Sequence, residues 1–346
     1  MKGKVRWGVI ASGGIAKRRT IPEGFVPAHN AHLVGVYGRN AATNKEVAKQ
    51  FSAQAFDSLE GLLAADIDAV YIASPVHAHL SQVLASAKAG KHVFCEKPLG
   101  LSVNEAEQMI EACQKAKVQF GTAFMMRLHS QHQAAAKLIE KGRLGKPVYA
   151  RAQLSCWYPP AAGAFRQDPK LGGGGSLIDM GNHCIDLLEM LFGPVKRVSC
   201  FTNNTIHAYE SEDSAVVLLQ FQNGALGTVD VFFCLQDDSV KNALELYGST
   251  GSIIANGTIG QGSVGEMTAF LQPEGVAHEP QQNRAAGRGE RIAPEPVNTY
   301  RAEIEEFSAA LLEGKPLTLS GEIGLRSQKM MAACYESART GRAVDV

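Results

Sequence analysis

The 346-residue sequence carries no surplus of charge of either sign: 34 Lys and Arg stand against 34 Asp and Glu. That excludes the broad basic surface needed to neutralise nucleic-acid phosphates or an anionic membrane, and a small molecule is the expected partner. Nor is there a stretch approaching the roughly 20 consecutive apolar residues of a membrane span. The opening "MKGKVRWGVIASGGIAKRR" has basic residues before an apolar run, as a secretion signal does. However, the run is short, broken by Gly8, Gly13 and Gly14, and followed by Lys17-Arg18-Arg19, which suits a first strand and its turn better. The sequence also lacks a CxxC pair. Its seven cysteines, at 95, 113, 156, 184, 200, 234 and 334, are odd in number, dispersed and mostly within apolar runs. Reduced structural thiols in a cytoplasmic protein are the expectation. No repeat of 20–50 residues is visible.

What is present is ordinary globular composition, 45% hydrophobic and 20% charged, with enough length for two domains. The first third alternates short, nearly all-apolar strands (4–11, 32–38, 69–75, 91–96, 118–124) with helical stretches near 41–51, 58–65, 78–89 and 102–116. Continuous apolar strands separated by helices predict a parallel sheet covered on both faces, a doubly wound α/β domain. From "PVYARAQLSCWY" onward the pattern changes to period-2 alternation, repeated at 195–202, 214–221, 224–233 and 242–248 with few helices between. That predicts an α+β domain with a large, mostly antiparallel sheet. Residues 256–298, rich in Gly, Pro, Gln and Glu, are expected to hold a hairpin and a long exposed loop. Helices are expected at 299–313 and 322–340, with Gly341 as C-cap. The expected division is 1–125 and 126–346. A sheet with one uncovered face usually finds a partner, so a homodimer or homotetramer packed through the second domain is expected.

Four stretches carry chemistry. In "GVIASGGIA", after the first strand, the six residues Ala11-Ser12-Gly13-Gly14-Ile15-Ala16 fill the place of a dinucleotide turn, with alanine at its first and third glycine positions. The competing reading is an ordinary strand–helix turn, and Lys17, Arg18 and Arg19 read as a solvated face. At the end of the second strand "VYGRN" offers no carboxylate for an adenosine ribose; Arg39 can instead pair with a 2′-phosphate, or simply face solvent. NADP is therefore preferred, with NAD possible. In "LGGGGSLIDMGNHCIDLLEMLFG", Asp179, His183 and Asp186 fall at i, i+4 and i+7, one face of a helix among Leu and Ile. Gly181 inside that helix suggests close approach by another group. Asp179 and His183 supply two metal ligands and nothing nearby in sequence supplies a third, so no metal is expected. Finally, "FCEKPL" places Glu96 and Lys97 at the carboxyl end of a buried strand.

The chain resembles the Gfo/Idh/MocA oxidoreductases, sugar and cyclitol dehydrogenases with an N-terminal Rossmann domain. The likeness runs nearly end to end, through "WGVIASGGIA", "IASPVHAHLSQVLASAKAGKHVFCEKPL", "FRQDPKLGGGGSLIDMGNHCIDL" and "ARTGRAVDV". Within that family, "CWYPP" before "FRQDP" is similar to the 1,5-anhydrofructose reductases. Phe165-Arg166 stands where the family often has Trp-Arg, which bears on the substrate pocket. The resemblance implies that Lys97 is catalytic, with a cis Lys97–Pro98 bond, His183 as acid/base or its partner, and Asp179 orienting substrate hydroxyls. It implies a cofactor held by Ala11, Ser12, Gly13, Gly14, Ile15, Arg39, Ser74, Pro75, His79, Glu96, Lys97 and Arg166. A sugar, anhydrosugar or cyclitol would meet Lys97, Arg127, Trp157, Tyr158, Asp179 and His183. Some relatives are NADP-binding regulators without catalysis, but these usually lack the lysine and histidine. Others are glycosidases that retain NAD and act by transient oxidation.

Overall fold

A computed structural model describes residues 3–272 and 289–346. The first sheet contains six parallel strands: β1 (Val5–Ile10), β2 (Ala31–Tyr37), β3 (Gln54–Ala55), β4 (Ala69–Ile72), β5 (His92–Glu96) and β6 (Phe120–Ala123), in the order β3-β2-β1-β4-β5-β6. All four residues of β4 are buried, as an apolar strand covered on both faces must be. Between strands lie α1 (Ala41–Gln50), α2 (Leu59–Ala64), α3 (His79–Lys88) and α4 (Val103–Ala116). The side chains of Asn40, Ser58 and Ser102 accept from the backbone N–H groups of Thr43, Gly61 and Glu105, capping α1, α2 and α4. Each such cap contributes about 1 kcal/mol. The strand order reverses at β1 and β4, which opens a crevice above their carboxyl ends.

The second sheet has nine strands: β7 (Pro147–Ser155), β8 (Val195–Asn203), β9 (Ser214–Phe221), β10 (Leu226–Phe232), β11 (Ala243–Gly248), β12 (Gly251–Asn256), β13 (Glu266–Leu271), β14 (Glu290–Arg291) and β15 (Val344–Asp345). Their order is β14-β13-β12-β11-β7-β10-β9-β8-β15. Only β7 and β10 pair parallel; the other neighbours are antiparallel. One face is buried with α5 (Ser130–Glu140) and α7 (Asn182–Phe192), between which in sequence lies the short α6 (Pro169–Gly172). The other leaves Phe201, Val216, Leu218 and Leu226 exposed.

Helices α8 (Thr299–Glu313) and α9 (Gly321–Thr340) return to the first sheet. Trp7 Nε1 donates to Ser308 Oγ at 3.1 Å, and Thr122 N donates to Leu319 O at 2.9 Å. Trp7, Phe25, Tyr71, Phe94 and Phe307 form a run of ring contacts 5.1–6.0 Å apart that ties α8 to the sheet. Each fully buried ring contributes roughly 1.5–3 kcal/mol, so β5, which delivers Glu96 and Lys97, has a fixed base in Phe94. Residues beyond 125 thus cover the first sheet as well as build the second.

Most elements fall within two residues of their expected bounds. Several were not anticipated: the two-residue edge strands β3 and β15, the one-turn helix Pro169–Gly172, helix α5, and a wide π-type helix over Ala16–Phe25 that holds Pro22. Short or proline-bearing segments carry too little period for the hydrophobic pattern to show them, and α5 opens on the polar run Ser130-Gln131-His132-Gln133. A hairpin does form, β12–β13, but its first strand, Gly251–Asn256, precedes the expected 256–298 range and only its second lies inside it. Most of the expected loop, 273–288, lies outside the described residues.

Candidate active site

The crevice opens into a cavity of about 880 Å³ between the carboxyl ends of the first sheet and the buried face of the second. The turn after β1 lines one end. Ala11 and Gly14 have φ of 69° and 53°, turning backbone toward the cavity. Ser12 Oγ donates to Asn44 Oδ1 at 2.6 Å, and Asn44 Nδ2 donates to Gly38 O at 2.7 Å, so the turn is locked to the end of β2. Arg39 and Arg18 both line this end, and neither forms an ion pair with a described residue. Arg18 is exposed, as expected of a solvated basic face, while also lining this end of the cavity. Lys17 and Arg19 instead pair with Glu46 and Glu23.

In the middle of the cavity wall, the Lys97–Pro98 peptide is cis. The ring nitrogens of buried His79 lie 2.8–3.1 Å from the carbonyls of Ser74, Pro98 and Leu99, bracing the loop after β4 against the one after β5. Burial pushes this ring below the usual histidine range. Lys97 Nζ donates to Asp179 O at 2.8 Å and to Asp179 Oδ1 at 2.9 Å. Arg166 Nε forms an ion pair with Asp179 Oδ2 at 2.9 Å, while its guanidinium lies 4.5 Å from the Phe165 ring centroid. Burial opposes the Asp179 charge, but Arg166 and Lys97 more than offset it and hold the carboxyl well below the usual carboxylate range. Both Asp179 oxygens are thus occupied by cations, so in this state it holds Lys97 rather than offering an open acceptor to a hydroxyl.

His183 lines the same wall, its ring edge-on to Phe124 at 6.0 Å and its Nδ1 buried without a partner among the described residues. Burial first, then Lys97 and Arg166, push it far below the usual range, so the imidazole is neutral at physiological pH. Beside them Glu96 accepts from the Tyr71 hydroxyl at 2.5 Å, and burial pushes its carboxyl up.

The four-glycine run explains how Asp179 is placed. A Cβ on Gly175 would collide with Glu212 O, and one on Gly174 with the Tyr335 hydroxyl. This close approach lets Glu212 Oε1 accept from Gly175 N, Leu177 N and the Tyr335 hydroxyl at 2.9–3.0 Å. Asp179 N then donates to Gly175 O at 3.1 Å, opening a π-type turn over Leu177–Gly181 that runs into α7.

Every residue expected to bind the cofactor lines the cavity, as do Tyr158, Asp179 and His183. Two expectations need correction. Arg127 does not reach the cavity: its guanidinium clasps Asp186 through contacts of 2.8–2.9 Å. Asp186 is therefore withdrawn from the face shared by Asp179 and His183, because a buried carboxylate on α7 takes the nearest buried cation. Trp157 lies outside the cavity too, its ring against His207 at 4.8 Å. Gly181 does show the expected close approach, by the Leu177 and Val231 side chains. Sequence reasoning missed Arg18, Tyr300, Glu212 and Glu303; only Glu212 had a local signal, in the acidic "ESED" before β9.

Residues 5–124 match the model of an oxidoreductase family with an NAD-binding Rossmann fold, and residues 132–254 match the GFO/IDH/MocA C-terminal domain. The chain belongs to the Gfo/Idh/MocA oxidoreductases. As a family member it is an NAD(P)-dependent dehydrogenase or reductase. It is 30% identical to D-xylose 1-dehydrogenase (NADP(+)) 2 of Haloferax volcanii, over 98% of this chain and 99% of that protein. It is also 28% identical to 1,5-anhydro-D-fructose reductase of Ensifer adhaerens, over 99% of this chain and 98% of that one. The structure of a levoglucosan dehydrogenase in complex with NADH and levoglucosan superposes with a TM-score of 0.84 at 25% identity, covering 99% of each chain. Among the described residues no helix is long and apolar enough to cross a membrane.

Proposed function

We propose that this protein interconverts a hydroxyl and a carbonyl on a sugar, anhydrosugar or cyclitol, with Lys97 and His183 handling the proton and NADP preferred over NAD. The observation that carries the reading is the ammonium of Lys97, gripped by Asp179 at the carboxyl end of β5, with a neutral His183 on the same cavity wall. The residues present fit the cofactor. Ala11 and Gly14 bring backbone close enough for a pyrophosphate, and Arg18 and Arg39 stand without carboxylate partners where a 2′-phosphate would lie. Ser74, Pro75, His79, Glu96 and Arg166 line the inner part, where the nicotinamide half would sit.

The bound cofactor gives or takes a hydride at the substrate carbon. In the oxidising direction neutral His183 accepts the hydroxyl proton, while Lys97 stabilises the negative charge gathering on oxygen. In the reducing direction the Lys97 ammonium polarises the carbonyl, and the new alkoxide takes its proton from the Lys97–His183 pair. Asp179 and Arg166 keep the Lys97 ammonium aimed into the cavity. Tyr158, and the substrate-side positions Lys97, Asp179 and His183, present the aromatic and polar lining that suits a polyhydroxylated ring. The anhydrosugar-related names of two relatives support that substrate class. The exposed apolar residues of β8, β9 and β10 support a homodimer or homotetramer joined through the open sheet face. The seven free thiols support a cytoplasmic setting.

The test is near-UV absorbance of NADPH and NADH against a panel of keto-sugars, aldoses, inositols and anhydrosugars. Turnover of at least one is expected, with a lower KM for NADP(H). Release of sugar from a nitrophenyl glycoside without net cofactor change, or cofactor binding with no turnover of any panel member, would overturn the assignment in favour of a glycosidase or a regulator.

A further inference from the structure

Helix α8 carries an acid with no counterpart. Glu303 is 1% exposed, and neither carboxylate oxygen has a hydrogen-bond partner among the described residues, yet the side chain belongs to the cavity wall. Its electrostatic neighbours are other acids, Glu96 on β5 and Glu306 one turn along α8. Tyr71 on β4 gives its hydroxyl to Glu96 and meets Thr20 Oγ1 at 3.0 Å, so it brings no proton to Glu303. Tyr300, one turn back, lies under the Arg19 guanidinium at 5.2 Å.

Among the cations on the neighbouring elements, Arg18 is exposed and does not act on Glu303, and the others are already engaged. Arg19 pairs with Glu23 at 3.0 Å, Lys97 and Arg166 close on Asp179, and Arg127, on the turn packed against α8, is held by Asp186. A buried carboxyl with no cation is stable only as the neutral acid, and two neighbouring carboxyls retain at least one proton between them.

We propose that Glu303, acting with Glu96, reads the redox state of the cofactor: the pair keeps a proton while the site is empty or holds the neutral reduced ring, and gives it up to solvent when the cationic oxidised ring binds. This rests on the reading in which Glu96 lies beside the nicotinamide. Burial pushes both carboxyls upward, Glu303 farther because Glu96 and Glu306 add to it. A positive ring beside the pair favours the ionised form, and by linkage the oxidised cofactor binds more tightly as pH rises. With one linked proton the gain approaches tenfold per pH unit, while the reduced cofactor gains nothing. Glu303 is thus a specificity-determining residue between the two forms of the same cofactor.

Calorimetric titration of the full chain with NADP+ and with NADPH, from pH 6 to 8 in two buffers of different ionisation enthalpy, counts the protons released. The 2′-phosphate is common to both ligands and cancels in the comparison. The wild type is expected to release up to one proton more with the oxidised form. Glu303→Gln keeps the shape but never ionises; it should abolish that difference and flatten the pH dependence of oxidised-cofactor binding, leaving NADPH affinity within about twofold. Equal proton release for the two cofactors in the wild type, which requires no variant to fold, overturns the proposal, as does persistence of the difference in Glu303→Gln. Binding of neither cofactor would sink the underlying reading as well.

Discussion

Replacing Lys97 with methionine removes the ammonium and keeps most of the side-chain volume in a site where that side chain is 9% exposed. An ammonium about 3 Å from a developing alkoxide contributes up to about 5 kcal/mol at an effective dielectric near 20. The loss of positioned acid–base help alone costs 10²–10⁴ in rate, or about 2.7–5.5 kcal/mol. Turnover is therefore expected to fall at least a hundredfold. The cost in stability is smaller. Lys97 surrenders hydrogen bonds to Asp179 O and Oδ1, but Asp179 keeps Arg166 at 2.9 Å, so no buried charge is left alone. About 2 kcal/mol, seen as a few degrees in melting temperature, is expected. The pyrophosphate turn at Ala11–Ile15 is untouched, so cofactor affinity should change less than about threefold. Single-turnover stopped flow at cofactor wavelengths, fluorescence titration and a melting scan on the same variant measure all three. His183→Ala should slow hydride transfer in the same direction, and the double variant should be little worse than either single one, because residues acting as a unit are not additive. Hydride transfer within tenfold of wild type in Lys97→Met would refute the role given to this side chain.

Arg39→Ala should weaken NADP(H) by about 10- to 100-fold, the worth of a charge-assisted contact, and leave NAD(H) unchanged; equal loss for both cofactors would refute the phosphate role. Gly175→Ala drives a Cβ into Glu212 O and should cost at least about 2–4 kcal/mol while displacing Asp179, whereas Gly262→Ala, with its nearest contact at 3.7 Å, should be nearly neutral. A wild-type-like melting curve for the Gly175 variant would count against the packing described. Burial, reinforced by His129, pushes the His132 ring down to about 3. The unfolded chain then binds the extra proton below pH 6.5, so stability falls as pH drops from 6.5 toward 3, by about 2 kcal/mol at pH 5. Urea midpoints at pH 7 and 5 should show this slope, reduced in His132→Gln; an unchanged slope would assign it elsewhere. Light scattering at micromolar concentration should show a dimer or tetramer that Leu218→Glu dissociates, and a wild-type monomer would refute the interface.

The two-sheet architecture was legible in the sequence because it is written in local period. All-apolar strands such as "AVYI" fix a sheet covered on both faces, and alternation in "SAVVLLQF" fixes a sheet with one open face. The turn at Ala11–Ile15, the lysine after β5 and the Asp179–His183 pair were legible as well, since each depends on spacing within one segment. The withdrawal of Arg127 and Asp186 was not, because they lie 59 positions apart and their pairing exists only once α7 packs beside the turn after β6. For the same reason Asp179 reads in sequence as an open substrate ligand and in the fold as the anion between Lys97 and Arg166. Glu303 is the extreme case. On α8 it is one more acid in "RAEIEEF", and only the return of that helix to the first sheet buries it near Glu96 without a partner. Local pattern determined which elements form and which faces they bury; the charges those elements bring together are set by long-range packing, and the chemistry follows from that packing.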